Sequence, residues 1–305
     1  MAVVALDNRL NDLVDADVKV EQIATGFVFT EGPLWNNVEK TLHFSDVRTG
    51  VMRVWSEKDG SVKVVREGEA NGISNGNTWD MNGNMLTCEH AGRRVSRTLP
   101  DGTVETFVAR WGEARLNSPN DVITALNGDV LFTDPTYGLR QPDGTIVGQE
   151  YPFAGVFRYW NEKGTLQLLI RDFVGPNGLV LTDDDSKLYV CDTPQRHIRV
   201  FDVTEEGNLT NGSVFATLRH GDAEGRPDGM KLDSRGNIYC AANSPEGIWV
   251  YAPDGTLLGF IGIGESPANL IWGGDDWQTM YVTAQTSVYR LRMKVPGQPV
   301  RFSPK

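Results

Sequence analysis

Val130-Leu-Phe-Thr-Asp134 is a short run rich in β-branched and aromatic residues that ends in a carboxylate. Five other segments share this form: Thr41–Asp46, Met85–Glu89, Leu188–Asp192, Ile238–Ala242 and Met280–Ala284. Four of the six end in Asp or Glu, and successive ends are 42 to 58 residues apart. Such composition over so few residues is typical of a β-strand. The chain therefore carries six repeats of one strand pattern.

Each run is followed by a turn, a second strand-like segment and, in most repeats, a glycine-containing dipeptide that leads into a third. These dipeptides are Asp59-Gly60, Asp101-Gly102, Lys163-Gly164, Glu206-Gly207 and Asp254-Gly255. Asp-Gly between alternating strands is a strong hairpin signal. Six such units predict an all-β, six-bladed β-propeller as one domain over residues 1–305. We expect an N-terminal strand near Val18–Ile23 to close the ring by joining the last blade.

Two other all-β architectures fit the pattern less well. A β-sandwich does not require so regular a period. A WD-repeat propeller carries Gly-His and Trp-Asp once per blade, whereas Trp79-Asp80 occurs once here and Gly-His does not occur. The longest interval between repeats contains Tyr137–Phe153, which we expect to form a loop over one mouth of the ring.

The composition and charge of the chain limit the kinds of molecule that the protein is expected to bind. The net charge is −11 and the pI about 4.9, which excludes the basic face that nucleic-acid binding requires. No apolar run is long enough to span a bilayer, and the N-terminus lacks the basic and apolar regions of a signal peptide. Cys88, Cys191 and Cys240 each lie in a strand-like segment and are predicted to be buried free thiols. We expect a cytoplasmic protein with a small-molecule substrate.

Four polar turns precede apolar strand starts in different repeats. They are Glu31-Gly-Pro-Leu-Trp35, Ser118-Pro-Asn-Asp121, Gly175-Pro-Asn-Gly-Leu179 and Arg226-Pro-Asp-Gly-Met230. Proline fixes φ and glycine permits a tight turn, so the side chain between them is held rigidly. Equivalent loops of a propeller open on the same mouth. We therefore predict that Glu31, Asn120, Asn177 and Asp228 converge near the axis.

Two carboxylates and two amides offer only oxygen ligands, which hard divalent cations prefer. The four histidines are scattered, without the spacing of a zinc site. We expect one divalent ion, with Ca²⁺ favoured and Mn²⁺, Zn²⁺, Mg²⁺ or Fe²⁺ as alternatives. The simpler interpretation is that Pro-Asn-Gly and Pro-Asp-Gly are good turn sequences that bind nothing.

At these turns the sequence resembles the SMP-30/gluconolactonase family, also called regucalcin-like. The segments that carry the resemblance are EGPLW at 31–35, RLNSPNDV at 115–122, GPNGLVLT at 175–182 and RPDGMKLD at 226–233. CEHAGRRV at 88–95 and LFTDPTYGL at 131–139 are similar to its bacterial gluconolactonase branch. The resemblance implies a six-bladed propeller with one axial metal held by Glu31, Asn120, Asn177 and Asp228. It also implies hydrolysis of a sugar lactone to the aldonic acid, with Asp228 as the base.

Polar residues beside these turns are predicted to bind the sugar. They are Asp121, Arg115, His90, Arg93, Asn77 and Tyr137. Two alternative functions remain open for the same site. One is hydrolysis of other esters or phosphotriesters, and the other is a calcium-binding regulatory propeller without turnover.

One further motif is set aside. Gly72-Ile-Ser-Asn-Gly76 matches the G-x-S-x-G pattern of a serine nucleophile elbow. That elbow requires a buried strand before it and a helix after it, whereas the flanking residues here are polar and turn-like. We interpret the match as chance.

Overall fold

The computed structural model describes residues 3–243 and 246–304, and these residues form antiparallel sheets, turns and short 3₁₀ segments. Blade 1 contains Thr30–Asn36, Thr41–Asp46, Val51–Ser56 and Val62–Glu67. Blade 2 contains Ser74–Trp79, Met85–Glu89, Arg94–Thr98 and Val104–Val108. Blade 3 contains Val122–Thr124, Val130–Asp134, Ala154–Trp160 and Thr165–Phe173.

The other three blades follow in chain order. Blade 4 contains Pro176–Leu181, Lys187–Asp192, His197–Val203 and Leu209–Thr217. Blade 5 contains Pro227–Leu232, Ile238–Asn243, Glu246–Tyr251, Leu257–Ile261 and the N-terminal Val3–Ala5. Blade 6 contains Pro267–Gly273, Thr279–Ala284, Ser287–Arg292 and Glu21–Thr25. Two short antiparallel ribbons lie outside the blades. One pairs Arg110–Trp111 with Ala114–Arg115, and the other pairs Arg219–His220 with Ala223–Glu224. The 3₁₀ segments are Asn8–Asp12, Val47–Thr49, Gly68–Asn71 and Tyr137–Leu139.

The innermost strands contact one another in chain order, and that of blade 6 contacts that of blade 1. Among the described residues the buried apolar side chains form six clusters, one at each junction between neighbouring blades. At the junction of blades 6 and 1, for example, Trp35 stacks on Tyr281 with ring centroids 4.9 Å apart. A single sheet cannot bury both of its faces, so the closed ring supplies the core. The predicted six-bladed, all-β fold is confirmed.

The N-terminal segment completes two blades. Glu21–Thr25 pairs with Ser287–Arg292 as the outer strand of blade 6. The strand begins and ends a few residues later than the predicted Val18–Ile23. Val3–Ala5 pairs with Leu257–Ile261 as a fifth strand of blade 5. The N-terminal segment thus supplies outer strands to two adjacent blades, which ties the ring together where it closes.

Three of the four carboxylates that end repeated strands hold the chain segments that lead into the innermost strands, whereas the fourth, Glu89, binds the side chains of Arg66 and Arg94. Asp46 Oδ1 accepts hydrogen bonds from the backbone N–H groups of Val28 and Phe29, at 3.2 and 3.1 Å. Asp134 and Asp192 accept backbone N–H groups in the same way at the entries to blades 3 and 4. A buried carboxylate that accepts backbone N–H groups satisfies donors that the loop would otherwise leave unpaired. This role explains the acidic residue at the end of these three strands.

The C-terminal residues 296–304 cross the ring at the end opposite the starts of the inner strands. Gln298 N donates to Leu232 O at 3.0 Å, and Asn37 N donates to Ser303 Oγ at 3.2 Å. Between them, Arg301 Nη2 donates to Thr182 O at 2.9 Å. The tail therefore covers one mouth of the ring and leaves the other, where the inner strands begin, for the candidate site.

Two sequence expectations concern features away from the site. Cys88, Cys191 and Cys240 are all buried and free, as predicted. Within the described ranges no helix has the length and apolar character needed to cross a membrane.

Candidate active site

Each innermost strand places a polar side chain at its start, at the mouth of the ring. The predicted members are Glu31 in blade 1, Asn120 and Asp121 just before the inner strand of blade 3, Asn177 in blade 4 and Asp228 in blade 5. The structure adds Asn75 from blade 2 and Asn269 from blade 6. In five of the six inner strands the pairing with the next strand shifts register at this point. Such bulges release the chain from the ladder and re-aim side chains.

Glycines beside these polar residues allow neighbouring blades to approach closely. A Cβ at Gly178 would lie 2.4 Å from the backbone oxygen of Asp228. A Cβ at Gly229 would lie 2.0 Å from Cγ of Asn269. Both distances are far below van der Waals contact, so only glycine fits without displacing the next blade. The glycines of the predicted turns therefore set the width of the axial ring.

Glu31 is buried at the mouth. Its Oε2 accepts hydrogen bonds from Gly32 N at 2.6 Å and from Asn269 Nδ2 at 3.0 Å. Burial, and secondly the charge of Asp121, raise the pKa of Glu31 to about 7. Carboxylates from blades 1 and 3 thus interact at the mouth, and a cation between them would favour the ionised form of both.

Asp228 is half-buried, and burial raises the pKa of its carboxyl well above the usual range. The charge of Glu31 raises the pKa of Asp228 further, while a hydrogen bond from the Asn177 side chain opposes the shift. Asn177 Nδ2 also donates to Thr193 Oγ1 at 3.1 Å. Since protein groups engage the amide nitrogen, the amide oxygen of Asn177 is the atom left to accept from a ligand or bind a cation.

Asp121 supplies an unpaired acceptor. Its Oδ1 accepts a hydrogen bond from Val122 N at 2.9 Å, whereas its Oδ2 is buried without a hydrogen-bond partner. Burial raises the pKa of the Asp121 carboxyl, and the charge of Lys231 opposes that shift. A buried carboxylate oxygen without a partner is costly unless a cation or a donor joins it.

This donor set fits a hard divalent ion. Within residues 3–243 and 246–304 no three His, Cys, Asp or Glu side chains form a compact metal-binding group. The predicted set of Glu31, Asn120, Asn177 and Asp228 differs from such a group because half of its ligands are amide oxygens. Carboxylate and amide oxygens around the unpaired Asp121 Oδ2 are the chemistry that Ca²⁺ and similar ions accept. The binding of a metal ion by these four residues and the identity of that ion stay predictions.

His90 contacts the side chain of Asn75 and is not one of the predicted metal ligands. Asn75 Nδ2 lies 2.9 Å from His90 Nε2, and burial lowers the pKa of His90 to about 4. Because an amide nitrogen only donates, Nε2 of the neutral imidazole is the acceptor, with the proton on Nδ1. His90 therefore fixes the Asn75 amide so that its oxygen is available at the mouth.

Tyr137 and Asn77 are both engaged by protein groups. Tyr137 Oη donates to Gly175 O at 2.9 Å, at the entry to the strand that carries Asn177. Asn77 Nδ2 donates to Gly32 O at 2.7 Å and to Asn75 O at 2.9 Å, and its Oδ1 accepts from Thr87. These contacts give Asn77 a role in the junction of blades 1 and 2. A substrate contact from either residue stays a prediction.

Arg93 and Arg115 hold the loop that enters blade 3. Arg93 Nε donates to Leu116 O at 2.7 Å, and its guanidinium lies 3.4 Å from a Glu150 carboxylate oxygen. The other oxygen of Glu150 accepts from Arg115 N at 2.7 Å. In the described chain no hydrogen bond or ion pair links the Arg115 guanidinium to the axial residues. Its contact with a substrate also stays a prediction.

The segment Tyr137–Phe153 is tied down at both ends. At its start, a Cβ on Gly138 would lie 2.6 Å from His90 Cβ, so the loop packs against the mouth there. At its end, Tyr151 donates a short hydrogen bond to the buried Asp134 carboxylate. Burial raises the pKa of Asp134 to about 7. Residues 140–148 between these anchors are exposed, as expected of a loop beside the entrance.

Comparison with known proteins places the chain in a family. The model of the SMP-30/gluconolactonase/LRE-like region matches residues 29–286. A gluconolactonase of Zymomonas mobilis is 32% identical and aligns over 95% of this chain and 85% of its own. A pentonolactonase of Haloferax volcanii is 29% identical over 83% of this chain and 80% of its own. The crystal structure of a gluconolactonase from Xanthomonas campestris superposes with a TM-score of 0.86, is 29% identical, and covers 96% of this chain and 95% of its own.

The fold and the axial site thus define a six-bladed propeller of the lactonase type. The chain belongs to the SMP-30/gluconolactonase/LRE-like family, as the sequence motifs predicted.

Proposed function

We propose that this protein hydrolyses a sugar lactone of the gluconolactone type to the aldonic acid, with one divalent ion at the axial mouth. The observation that carries the proposal is the ring of polar side chains at the starts of the inner strands, which includes Glu31, Asn120, Asn177 and Asp228. Within this ring the charge of Glu31 raises the pKa of Asp228. Like charges gathered in a buried place are unfavourable unless a cation is present. Membership of a family with lactonases among its relatives supplies the reaction class.

Glu31, Asn120, Asn177 and Asp228 would hold the ion, and Ca²⁺ suits their oxygen atoms best. When bound, such an ion supplies Lewis-acid polarisation of the lactone carbonyl and stabilisation of the developing oxyanion. Asn269 and Gly32 hold the Glu31 carboxylate by hydrogen bonds, so it keeps its orientation without a substrate. The protein's own contribution is therefore a preorganised ring of oxygen atoms.

Asp228 is the proposed base. Burial and the charge of Glu31 raise the pKa of Asp228, and a bound cation would lower it again, so its strength as a base in the loaded protein is set by the balance of these effects. A hydrogen bond from the Asn177 side chain also favours the ionised form of Asp228. Asp228 takes a proton from the attacking water as the water oxygen bonds to the carbonyl carbon. The bond from that carbon to the ring oxygen then breaks, and the protonated Asp228 gives its proton to the ring oxygen, which becomes a hydroxyl of the open-chain acid. Lactones are activated esters, so one base and an oxyanion stabiliser suffice.

The hydroxyl groups of the sugar have polar partners at the same mouth. The oxygen of the Asn75 amide, fixed by His90, faces a ring whose other members are all polar. The unpaired Asp121 Oδ2 accepts a hydrogen bond from a sugar hydroxyl when it is not bound to the ion. These two groups favour a polyhydroxylated lactone over an alkyl lactone, because a substrate without hydroxyls leaves Asp121 unpaired.

The test is proton release from glucono-δ-lactone and a panel of small lactones, before and after chelation, with metals added back singly. We expect hydrolysis well above the spontaneous rate, its loss on chelation and its return with Ca²⁺ or a similar ion. Hydrolysis that survives complete chelation would contradict the metal requirement. Tight metal binding without turnover of any lactone would instead favour the esterase or binding-protein alternatives.

A further inference from the structure

Thr193 lies beside the mouth of the ring, directly after the second strand of blade 4. Its backbone is held on both sides, because its N–H donates to Gly175 O at 3.1 Å and its carbonyl oxygen accepts from Arg196 N at 3.3 Å. The residue is half-buried, and its hydroxyl group reaches the backbone of blade 5. The fixed backbone of Thr193 therefore gives this hydroxyl group a fixed place at the junction of blades 4 and 5.

The hydroxyl group of Thr193 joins two of the turns that carry predicted metal ligands. It donates to the backbone oxygen of Pro227 at 2.6 Å and accepts from Asn177 Nδ2 at 3.1 Å. Pro227 directly precedes Asp228 in the chain. A single oxygen atom thus links the side chain of Asn177 to the turn that presents Asp228.

These two hydrogen bonds determine which way the Asn177 amide points. A backbone carbonyl oxygen can only accept, so Pro227 takes the one hydroxyl proton of Thr193. The lone pairs that remain on Thr193 Oγ1 can only accept a hydrogen bond. Asn177 must therefore present its amide nitrogen to Thr193, and its amide oxygen points away from Thr193.

The backbone ladder gives the two turns little support at this level. In blades 4 and 5 the pairing of the first two strands shifts register around Asn177 and around Asp228. Such shifts release a strand locally from its partner. The two inner strands also approach closely here, since a Cβ at Gly178 would lie 2.4 Å from the backbone oxygen of Asp228. A side-chain link between the turns therefore holds Asn177 where the regular pairing of the sheet does not.

We propose that Thr193 is a positioning residue of the candidate metal site, whose hydroxyl group orients the Asn177 amide and keeps its oxygen directed at the ion. Thr193 acts through Asn177 and contacts neither the ion nor the substrate. The consequence for ion binding rests on the proposed metal-dependent function. The orientation of the Asn177 amide is a property of the metal-free protein as well, so it is measured separately.

Calorimetric titration of chelator-treated protein with Ca²⁺ measures the effect on ion binding. Thr193→Val removes the hydroxyl group but keeps the shape of the side chain, and it should weaken the affinity by about tenfold, as the loss of a hydrogen-bond partner of a metal ligand does. Thr193→Ser keeps the hydroxyl group and should retain the wild-type affinity. In Asn177→Asp both side-chain oxygens can bind an ion, so orientation no longer matters. Adding Thr193→Val to Asn177→Asp should then cost less than about twofold.

The side-chain amide of Asn177 reports its own orientation in the metal-free protein. Its ¹H–¹⁵N resonances, recorded in excess chelator, are identified as the pair that disappears in Asn177→Asp. The hydrogen bond to Thr193 should protect one amide proton from exchange with water. In Thr193→Val this exchange should be about tenfold faster, whereas Thr193→Ser should keep the protection.

Thr124→Val is the matched control. Thr124 Oγ1 donates to Trp79 O at 2.8 Å across the junction of blades 2 and 3, where the inner strands end. The control thus removes a hydrogen bond of the same type between blades, at the end of the ring away from the mouth. It should change neither the Ca²⁺ affinity nor the exchange of the Asn177 amide. If Thr193→Val does not fold, Thr193→Ala replaces it.

Equal Ca²⁺ affinity in wild type and Thr193→Val, or unchanged exchange of the Asn177 amide, would overturn the proposal. A loss that Thr193→Ser shares, or that Thr124→Val reproduces, would also overturn it, because the packing of the ring would then be the cause. If wild type binds no divalent ion, the proposed metal-dependent function fails, while amide exchange in chelator still decides whether Thr193 orients Asn177.

Discussion

Gly32 and Asn75 touch across the junction of blades 1 and 2 with no room for a side chain. A Cβ on Gly32 would lie 1.9 Å from the backbone oxygen of Asn75 and 2.7 Å from Asn77 Nδ2. Gly32 also has a φ of +54°, in the left-handed region that favours glycine. The contact brings the strand that carries Glu31 against the strand that carries Asn75. Close packing of glycine on the next blade is therefore what draws the axial residues together.

Gly32→Ala should destabilise the protein by about 3–5 kcal/mol, because a methyl group forces the two inner strands apart and strains the backbone. Urea unfolding followed by fluorescence measures this loss. Gly60→Ala is the matched control, since Gly60 has a φ of +70° and nothing within 4 Å of its added Cβ. That control isolates the backbone cost, about 1–2 kcal/mol. Equal losses in the two variants would show that the contact with Asn75 is unimportant.

The fold was within reach of the sequence because each blade repeats the same local signals. Strand composition, glycine-containing turns and the acidic residue at the end of the second strand all recur with one period. In three blades the acidic residue recurs for a physical reason, since Asp46, Asp134 and Asp192 hold the loops before the inner strands. The fifth strand of blade 5, Val3–Ala5, was not predictable in this way, because the four-strand repeat does not require a further strand beside Leu257–Ile261.

The site was only partly predictable. Glu31, Asn177 and Asp228 share a visible pattern, a polar residue followed by glycine before an apolar strand. Asn75-Gly76 has the polar residue and the glycine of this pattern, but polar Asn77 and Thr78 follow it, and it lies within the chance match to a serine nucleophile motif. The structure shows this segment to be the blade 2 equivalent of Glu31-Gly32, where a Cβ on Gly76 would lie 2.6 Å from Asp121 Oδ1.

Asn269 had no such signal. Leu270 rather than glycine follows it, and its hydrogen bond to Glu31 joins residues 238 positions apart in the chain. Side chains that meet through closure are invisible to local sequence patterns.

Asp228→Asn should lower kcat for lactone hydrolysis by about 10³-fold, because the amide cannot accept a proton from water. The change is nearly isosteric, so the fold should persist. Rates of proton release at saturating lactone measure the effect. Asp184→Asn, on an exposed turn at the far end of the ring, is the control and should keep full activity. Retention of most activity in Asp228→Asn would remove it from the role of base.

Glu31→Gln should weaken divalent-metal affinity by about 10- to 100-fold, since a neutral amide replaces a carboxylate at the mouth. Calorimetric titration of chelator-treated protein measures the affinity. The hydrogen bond that Asn269 Nδ2 donates can still be accepted by the amide oxygen of glutamine, so folding should be little affected. Unchanged affinity would exclude Glu31 from the ligand set.

His43 gives the protein an acid-sensitive position away from the mouth. The residue is half-buried, and its Nδ1 atom is buried without a hydrogen-bond partner. Burial lowers the pKa of His43 to about 4. The unfolded chain binds a proton near pH 6.5 and the folded protein near pH 4, so stability from this group is present above pH 6.5 and is lost as the pH falls toward 4. The contribution is at most about 3.5 kcal/mol, because the pKa differs by 2.5 units and each unit corresponds to about 1.4 kcal/mol.

His43→Phe should therefore flatten the fall in stability between pH 6.5 and pH 4, and the ring should keep its contact with Trp79. Urea unfolding at half-unit pH steps measures the difference from wild type. His220→Phe serves as the comparison, because His220 is exposed and should leave the pH profile unchanged. Parallel profiles for wild type and His43→Phe would show that His43 is not the source of acid sensitivity.

Arg301 fastens the C-terminal tail over the mouth opposite the candidate site. Its guanidinium forms a short ion pair with Asp185 and donates to the backbone oxygens of Thr182 and Asp183, at 2.9 and 3.1 Å. Only 15% of the Arg301 side chain is exposed, against 55% for Arg292 in its ion pair with Asp276. These two Arg–Asp ion pairs thus differ in burial, and the Arg301–Asp185 pair also holds the C-terminal tail on the ring.

Arg301→Ala should cost about 2–3 kcal/mol, because it leaves the Asp185 carboxylate and two backbone oxygens without their partner and frees the tail. Arg292→Ala should cost less than about 1 kcal/mol, as exposed ion pairs do. Urea unfolding compares the two, and limited proteolysis from the C-terminus should release residues 296–304 sooner in Arg301→Ala alone. If both variants lose the same stability and the tail stays resistant, then the apolar contacts of Val300 and Phe302 hold the tail, and the ion pair does not.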